Sequence, residues 1–147
     1  MKKASSELLL LDVNVLLAIA WPNHQFHAAA TRRLEAHHSY WASCALTQLG
    51  FVRLSSNPAV VTAARSPAES AALLAVLVSD SRHKYLESLP SPVEAETRTV
   101  FGRLLGPGQV TDAYLLGLAR RHNAILVTFD ARLKVLARSG AEVEILV

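Results

Sequence analysis

The stretch Leu8-Leu9-Leu10-Leu11-Asp12 constrains this chain more than any other. Four consecutive leucines form a short continuous apolar run, the pattern of a strand buried on both faces. A carboxylate set directly after such a run is costly unless water, a cation or hydrogen bonds compensate it. Open parallel sheets offer that compensation in the crevice outside the carboxyl ends of their strands, where their ligands sit. The arrangement recurs: Ala124-Ile125-Leu126-Val127-Thr128-Phe129 is a second apolar run, and it too ends on a carboxylate, Asp130. Two buried parallel strands ending this way bring like charges together, and like charges that close do not both ionise cheaply without a cation. The pairing points to a divalent-metal site.

The chain has 147 residues, enough for one domain with a sizeable core, and 51% of them are hydrophobic, which argues against disorder. A formal charge of +3, scattered rather than clustered, suits a polyanionic partner without requiring one. The single cysteine, Cys44, excludes an intrachain disulfide and a cysteine zinc cluster, and it fits a reducing cytosol. Lys2 and Lys3 followed by apolar residues imitate a secretion signal, but Ser5, Ser6 and Glu7 interrupt the start, and Asp12 and Asn14 fall inside the apolar part. No run reaches the ~18 apolar residues of a membrane span. The expectation is a cytoplasmic protein with no membrane partner.

Along the chain, Val15 to Ala20 stays apolar up to the turn signal Trp21-Pro22. Asn23 is placed to cap a helix over 24–38, with Phe26, Ala30 and Leu34 on one face. Residues 39–44 read as a strand, followed by a helix carrying Leu46, Leu49 and Leu54 and ended by Ser55-Ser56-Asn57-Pro58. Ser66-Pro67-Ala68-Glu69 and Ser91-Pro92-Val93-Glu94 both have the form of a capping box with a preset proline. The first predicts a helix with Ala71, Leu74 and Val78 inward; the second predicts one with Val93, Val100, Leu104 and Leu105 inward. A short strand is expected over 83–87. After the break Gly106-Pro107-Gly108, Thr111 is expected to cap a helix reaching about His122, with Leu115, Leu118 and Ala119 inward. Residues 131–139 read as helical, Gly140 as their stop, and 143–147 as a last strand. Helix and strand patterns alternate throughout, so the fold class is α/β with a mostly parallel sheet, in a single domain over 1–147.

Asp112 falls in the first turn of the helix that feeds the Asp130 strand, which puts it at the same edge of the sheet. An acidic residue is also favoured there by the helix dipole. Three aspartates converging on one edge favour a shared role. The order apolar strand-Asp12-x-Asn14, Thr47-x-x-Gly50-Phe51-Val52-Arg53, Val110-Thr111-Asp112-Ala113 and Val127-Thr128-Phe129-Asp130 resembles the PIN-domain ribonucleases. More narrowly, it resembles the VapC-type toxins of bacterial toxin–antitoxin pairs, over essentially the whole chain from Leu8. That resemblance implies a three-layer α/β/α fold and a Mg²⁺- or Mn²⁺-dependent endoribonuclease acting on structured RNA, often transfer or ribosomal RNA. It also implies a homodimer restrained by a small cognate antitoxin. The catalytic and metal-binding residues it implies are Asp12, Asp112 and Asp130.

The chain departs from the family's pattern at Gln48, where a glutamate is common. Glutamine lends a carbonyl oxygen but no charge, which raises single-metal occupancy or weakened activity. Asn14 and Thr128 are oxygen-bearing neighbours placed to support the site, and either side chain also suits a turn. Arg53, beyond Gln48 on the same helix, is placed to face a phosphate or an inhibitor's carboxylate. Mg²⁺ takes hard oxygen ligands and keeps several waters, so a few carboxylates suffice. The six histidines carry neither a cysteine cluster nor an HExxH pattern, and His24, His27 and His37 read as exposed helix residues rather than zinc ligands. The other basic residues, Arg132 among them, read as solvated surface. The rival readings are a catalytically weakened PIN-like module that only binds RNA or protein and, more distantly, a haloacid-dehalogenase-like phosphatase. The phosphatase pattern wants an Asp where Asn14 stands.

Overall fold

The structure is a computed structural model that describes residues 7–36 and 39–146. Strand β1 (Leu8–Leu11) lies at the centre of a five-stranded sheet in the order β3-β2-β1-β4-β5, with every neighbour parallel. The other strands are β2 (Tyr40–Cys44), β3 (His83–Leu86), β4 (Ile125–Thr128) and β5 (Val143–Ile145). Parallel neighbours require crossovers, and helices supply them: α1 (Val13–Ala20) and α2 (His27–Ala36) lead to β2, and α3 (Ala45–Ser55) and α4 (Pro67–Leu77) to β3. Next, α5 (Ala95–Phe101) and α6 (Val110–Arg121) return the chain to β4.

The four leucines of β1 show why such a strand reads as unbroken apolar sequence. Leu9 and Leu11 pack on one face with Val15, Leu16 and Ala18 of α1, Leu34 of α2, Phe51 of α3 and Leu74 of α4. Leu10 packs on the other with Leu115, Leu116, Leu118 and Ala119 of α6, and with Val100 and Phe101 of α5 at the rim. Helices therefore cover both faces, giving the expected α/β/α layering. Close approach of α1 and α3 depends on Gly50, where a Cβ would sit 2.8 Å from Val13 Cγ2.

Several local expectations are corrected. Helix α2 starts at His27 rather than after Asn23, because 21–26 fold into a turn: His24 N donates to the Trp21 carbonyl and Phe26 N to His24 Nδ1. Phe26 leaves the helical face and packs on Phe129, ring centroids 4.7 Å apart. The expected end of that helix at 37–38, His37 and His38 themselves, the signal-like residues 1–6 and Val147 lie outside the described residues. The capping box at Ser66 forms, Glu69 N donating to Ser66 Oγ and Ser66 N to Glu69 Oε1. The one at Ser91 does not. Ser91 Oγ accepts from Val93 N in a turn, α5 begins only after Glu94, and Val93 and Leu105 end exposed. Ala71 and Leu49 also face solvent, whereas Leu74 is buried. Helix α6 starts at Val110, one residue before Thr111, because a 3-10 turn over Pro107–Gln109 runs into it, so Thr111 caps nothing. Residues Ala131–Leu136 form a 3-10 stretch that ends before Gly140.

Candidate active site

Asp12 ends β1 and starts α1 in one residue. Its backbone N–H donates to the Val127 carbonyl, completing the ladder to β4, while its carbonyl accepts from Val15 and Leu16, the first bonds of α1. Its carboxylate is buried at 8% exposure and fully engaged: Oδ1 accepts from Val13 N at 2.7 Å and Oδ2 from Thr128 Oγ1 at 2.8 Å. Register explains the second bond, since Leu11 pairs with Val127 and the next residues along are Asp12 and Thr128. Burial pushes the Asp12 carboxyl above its ordinary range. The bonds from Thr128 and Val13 oppose that rise, and the charge of Asp130 adds to it.

Thr128 links two of the three aspartates, because its hydroxyl also accepts from Asp130 N at 3.1 Å. The Asp130 carboxylate turns the chain after β4, accepting from Arg132 N at 3.0 Å, and the Arg132 guanidinium closes on it through Nε at 2.9 Å and Nη2 at 2.7 Å. This fork holds Asp130 below the usual carboxylate range. Asp112 stands in the first turn of α6, half-buried and without a hydrogen-bond donor among the described residues. Its carboxyl is pushed up to about 6, first by burial, then by the charges of Asp12 and Asp130, with Arg132 pulling the other way. The fold thus brings the three predicted carboxylates within electrostatic reach of each other at the carboxyl edge of β1 and β4. Among the described residues, however, no three His, Cys, Asp or Glu side chains stand close enough to grip an ion unaided.

The supporting residues divide. Thr128 sits inside the arrangement, bonded to Asp12. Asn14 is exposed on the first turn of α1 and lines a cavity beside Trp21 and His24. Gln48 has a partner elsewhere: its Nε2 donates to Ser43 Oγ at 3.0 Å, and Ser43 Oγ lies 2.7 Å from His83 Nε2. Arg53 is exposed in the last turn of α3 and makes no ion pair among the described residues. His24 and His27 are not free helix residues: His24 stacks on Phe129 at 6.1 Å, and His27 Nδ1 bonds the Ala18 carbonyl at 2.7 Å. Arg132 lies on the solvated surface, as expected, with 79% of its side chain exposed, but its pairing with Asp130 was not foreseen. The signal for it is the short spacing Asp130-x-Arg132, in which a carboxylate capping a turn meets the side chain two residues on.

Oxygen donors and accumulated negative charge are what a hard divalent cation requires. A cation that keeps most of its waters does not need the carboxylates to close around it, so the donor set fits Mg²⁺ or Mn²⁺.

Residues 9–139 match the PIN domain family. Ribonuclease VapC38 of Mycobacterium tuberculosis is 42% identical over 130 residues, covering 88% of this chain and 89% of its own length. Ribonuclease VapC39 of the same species is 41% identical over 134 residues, covering 89% and 94%. Among solved structures, DNA-bound VapBC of Salmonella typhimurium matches the fold with a TM-score of 0.63 at 17% identity, over 94% of this chain and 97% of that one. VapBC2 of Rickettsia felis, bound to a promoter DNA fragment, matches with a TM-score of 0.61 at 14% identity, over 95% and 98%. A sheet ordered around β1, aspartates gathered at its carboxyl edge, and identity above 40% to two VapC ribonucleases carry one conclusion: the chain belongs to the PIN-domain family and, within it, to the VapC-type ribonucleases.

Proposed function

We propose that this VapC-type ribonuclease cleaves structured RNA, transfer or ribosomal, with Mg²⁺ or Mn²⁺ held among Asp12, Asp112 and Asp130. In the same reading, residues 1–147 act as a single domain, as the homodimeric toxin of a cytoplasmic toxin–antitoxin pair restrained by a small cognate antitoxin. Among the described residues no helix is long and apolar enough to cross a membrane. The observation that carries the metal assignment is Asp112, whose carboxyl is raised to about 6 by burial and by two neighbouring charges and which has no donor of its own. Asp12, Asp112 and Asp130 would hold the divalent cation, which when bound would supply that compensation, Lewis-acid polarisation of the scissile phosphate and activation of water.

The chain's own residues do the rest. Asp12 is fixed by Val13 N and Thr128 Oγ1, so its orientation is set before any ligand arrives. Arg132 partly offsets the negative charge that would otherwise repel a phosphate, and its guanidinium fork matches phosphate oxygens as well as it matches Asp130. The test is incubation of purified protein with total RNA and Mg²⁺ or Mn²⁺, with and without EDTA. Cleavage lost in EDTA and in Asp12→Asn and Asp130→Asn, both still folded, is the expected result. RNA binding without cleavage at any metal concentration would instead support the binding-module reading, which the engaged Gln48 and the Asp130–Arg132 pair favour.

A further inference from the structure

An open cavity of about 200 Å³ lies beside the carboxylate edge, lined on its polar side by Asn14, Asn23, His24 and Thr62 and on its apolar side by Leu17 and Trp21. One chain link and one ring stack tie it to the aspartates. Asn14 is two residues from Asp12, and His24 stacks on Phe129, which immediately precedes Asp130, with ring centroids 6.1 Å apart and an interplanar angle of 20°. The cavity therefore borders the segments that carry Asp12 and Asp130.

The cavity's chemistry is directional. His24 Nδ1 accepts from Phe26 N at 3.0 Å, so that nitrogen carries no proton and the neutral ring carries its proton on Nε2. Burial and the neighbouring His27 hold the ring below its ordinary pKa, which keeps it in that form at neutral pH. Nε2–H is then a fixed donor with no partner among the described residues. The exposed Asn14, Asn23 and Thr62 side chains also carry no protein hydrogen bond among the described residues and are open to a ligand at the mouth of the cavity. An apolar wall with a few convergent, unpaired polar groups is how small planar ligands are held and oriented. Arg65 lies over the Trp21 ring at 6.0 Å, placing a cation at the same rim.

We propose that this cavity is a nucleobase subsite: it takes one unpaired base next to the scissile phosphate, with His24 Nε2–H donating to an acceptor on the base edge. Sequence-specific RNA recognition targets unstacked bases in loops, which are read by edge hydrogen bonds and aromatic contact. The subsite would make cleavage selective for a looped-out base and not only for an accessible backbone. The proposal rests on the RNA-cleaving reading above, and its test separates the two.

Nucleoside 5′-monophosphates are titrated into metal-free protein and followed by NMR. Side-chain shifts at Asn23, His24 and Thr62, strongest for one or two of the four bases, are the expected result. In parallel, cut sites in total RNA are mapped by end sequencing for wild type, His24→Phe and Asn23→Ala. His24→Phe keeps an aromatic ring and loses the Nε2 donor; Asn23→Ala leaves the His24–Phe26 turn intact. Each should relax the base preference beside the cut and raise KM about fivefold, the worth of one hydrogen bond, at unchanged kcat. Mononucleotide shifts that bypass these three residues, or both variants retaining the wild-type cut profile and KM, would overturn the subsite. Shifts at the cavity in a protein that cuts no RNA would keep the subsite and overturn the cleavage reading.

Discussion

Replacing Asp112 with asparagine should stabilise the metal-free protein while removing its activity. The carboxyl is raised from 3.8 to about 6, so the native fold holds its charged form at a penalty. At ~1.4 kcal/mol per unit, the shift corresponds to a ceiling of about 3 kcal/mol. Asp112 is only half-buried, and solvent screening reduces the recoverable part to about 1–2 kcal/mol. The sign follows from proton linkage. Between pH 3.8 and about 6 the folded state keeps a proton that the unfolded state has released, so wild-type stability falls as pH rises through that window. Below it the penalty is absent; above it the penalty is complete. Asparagine is nearly isosteric and carries no charge, so it escapes the penalty at every pH.

Paired thermal melts in EDTA from pH 4 to pH 7.5 measure this directly. For a chain of this length, 1–2 kcal/mol corresponds to a Tm gain of about 2–8 °C. The gain should be near zero at pH 4 and reach its plateau just above pH 6. Added Mn²⁺ should raise the wild-type Tm and leave the variant's almost unmoved, because binding to the native state is what stabilises. A variant no more stable than wild type at pH 7.5, or more stable by a constant amount at all pH values, would refute the claim that neighbouring charge and burial strain this carboxylate.

Three further outcomes follow from contacts around the same edge. Arg132→Ala should raise the pKa of both Asp130 and Asp112, readable by carboxyl ¹³C titration, while leaving the urea midpoint almost unmoved, because the ion pair is exposed. Thr128→Val strands the Asp12 Oδ2 in a buried position and should cost about 1–3 kcal/mol in urea unfolding at pH 7, less at pH values where Asp12 is protonated. Gln48→Glu should leave Mn²⁺ affinity unchanged in calorimetry and raise the pKa of His83 by NMR. A carboxylate there accepts the Ser43 proton, and Ser43 is then best satisfied by a protonated His83 Nε2.

Much of the fold was legible because β1 and β4 are buried on both faces and therefore read as unbroken apolar runs ending on charge. Their common edge placed Asp12 and Asp130 before any coordinates did, and the helix entering β4 placed Asp112. Helix starts were less legible. Ser66 and Ser91 head nearly identical motifs, yet only the helix after Ser66 buries an apolar side chain, Leu74, while α5 reaches the core only at its rim. Val93 finds no core to enter, so the turn at Ser91 satisfies its own backbone instead. The first turn of α2 was lost to a histidine ring that bonds Phe26 N, a tertiary choice no propensity encodes. Arg132 was invisible as a partner for a related reason: it is solvated as it reads, and only the turn after β4 aims it at Asp130.

Gln48 and Arg132 together give the site its charge balance. Asp12, Asp112 and Asp130 supply three negative charges when ionised, and the Arg132 guanidinium, bound to Asp130, offsets one of them. On the proposed reading the remaining two would match a single divalent cation. A carboxylate in place of Gln48, aimed at the same edge, would leave an excess suited to a second ion. The neutral amide instead turns to Ser43, whose hydroxyl it shares with His83, and contributes no charge at the edge. Mg²⁺ gives up its waters reluctantly where carboxylates are few. A second ion at this edge would meet one fewer carboxylate and a competing arginine. On the proposed reading that balance would favour one cation over two, with the Arg132 fork placed to exchange Asp130 for a phosphate oxygen of the substrate. In that proposed arrangement the arginine would stand where two-metal nucleases place a second cation, as a clamp on developing negative charge.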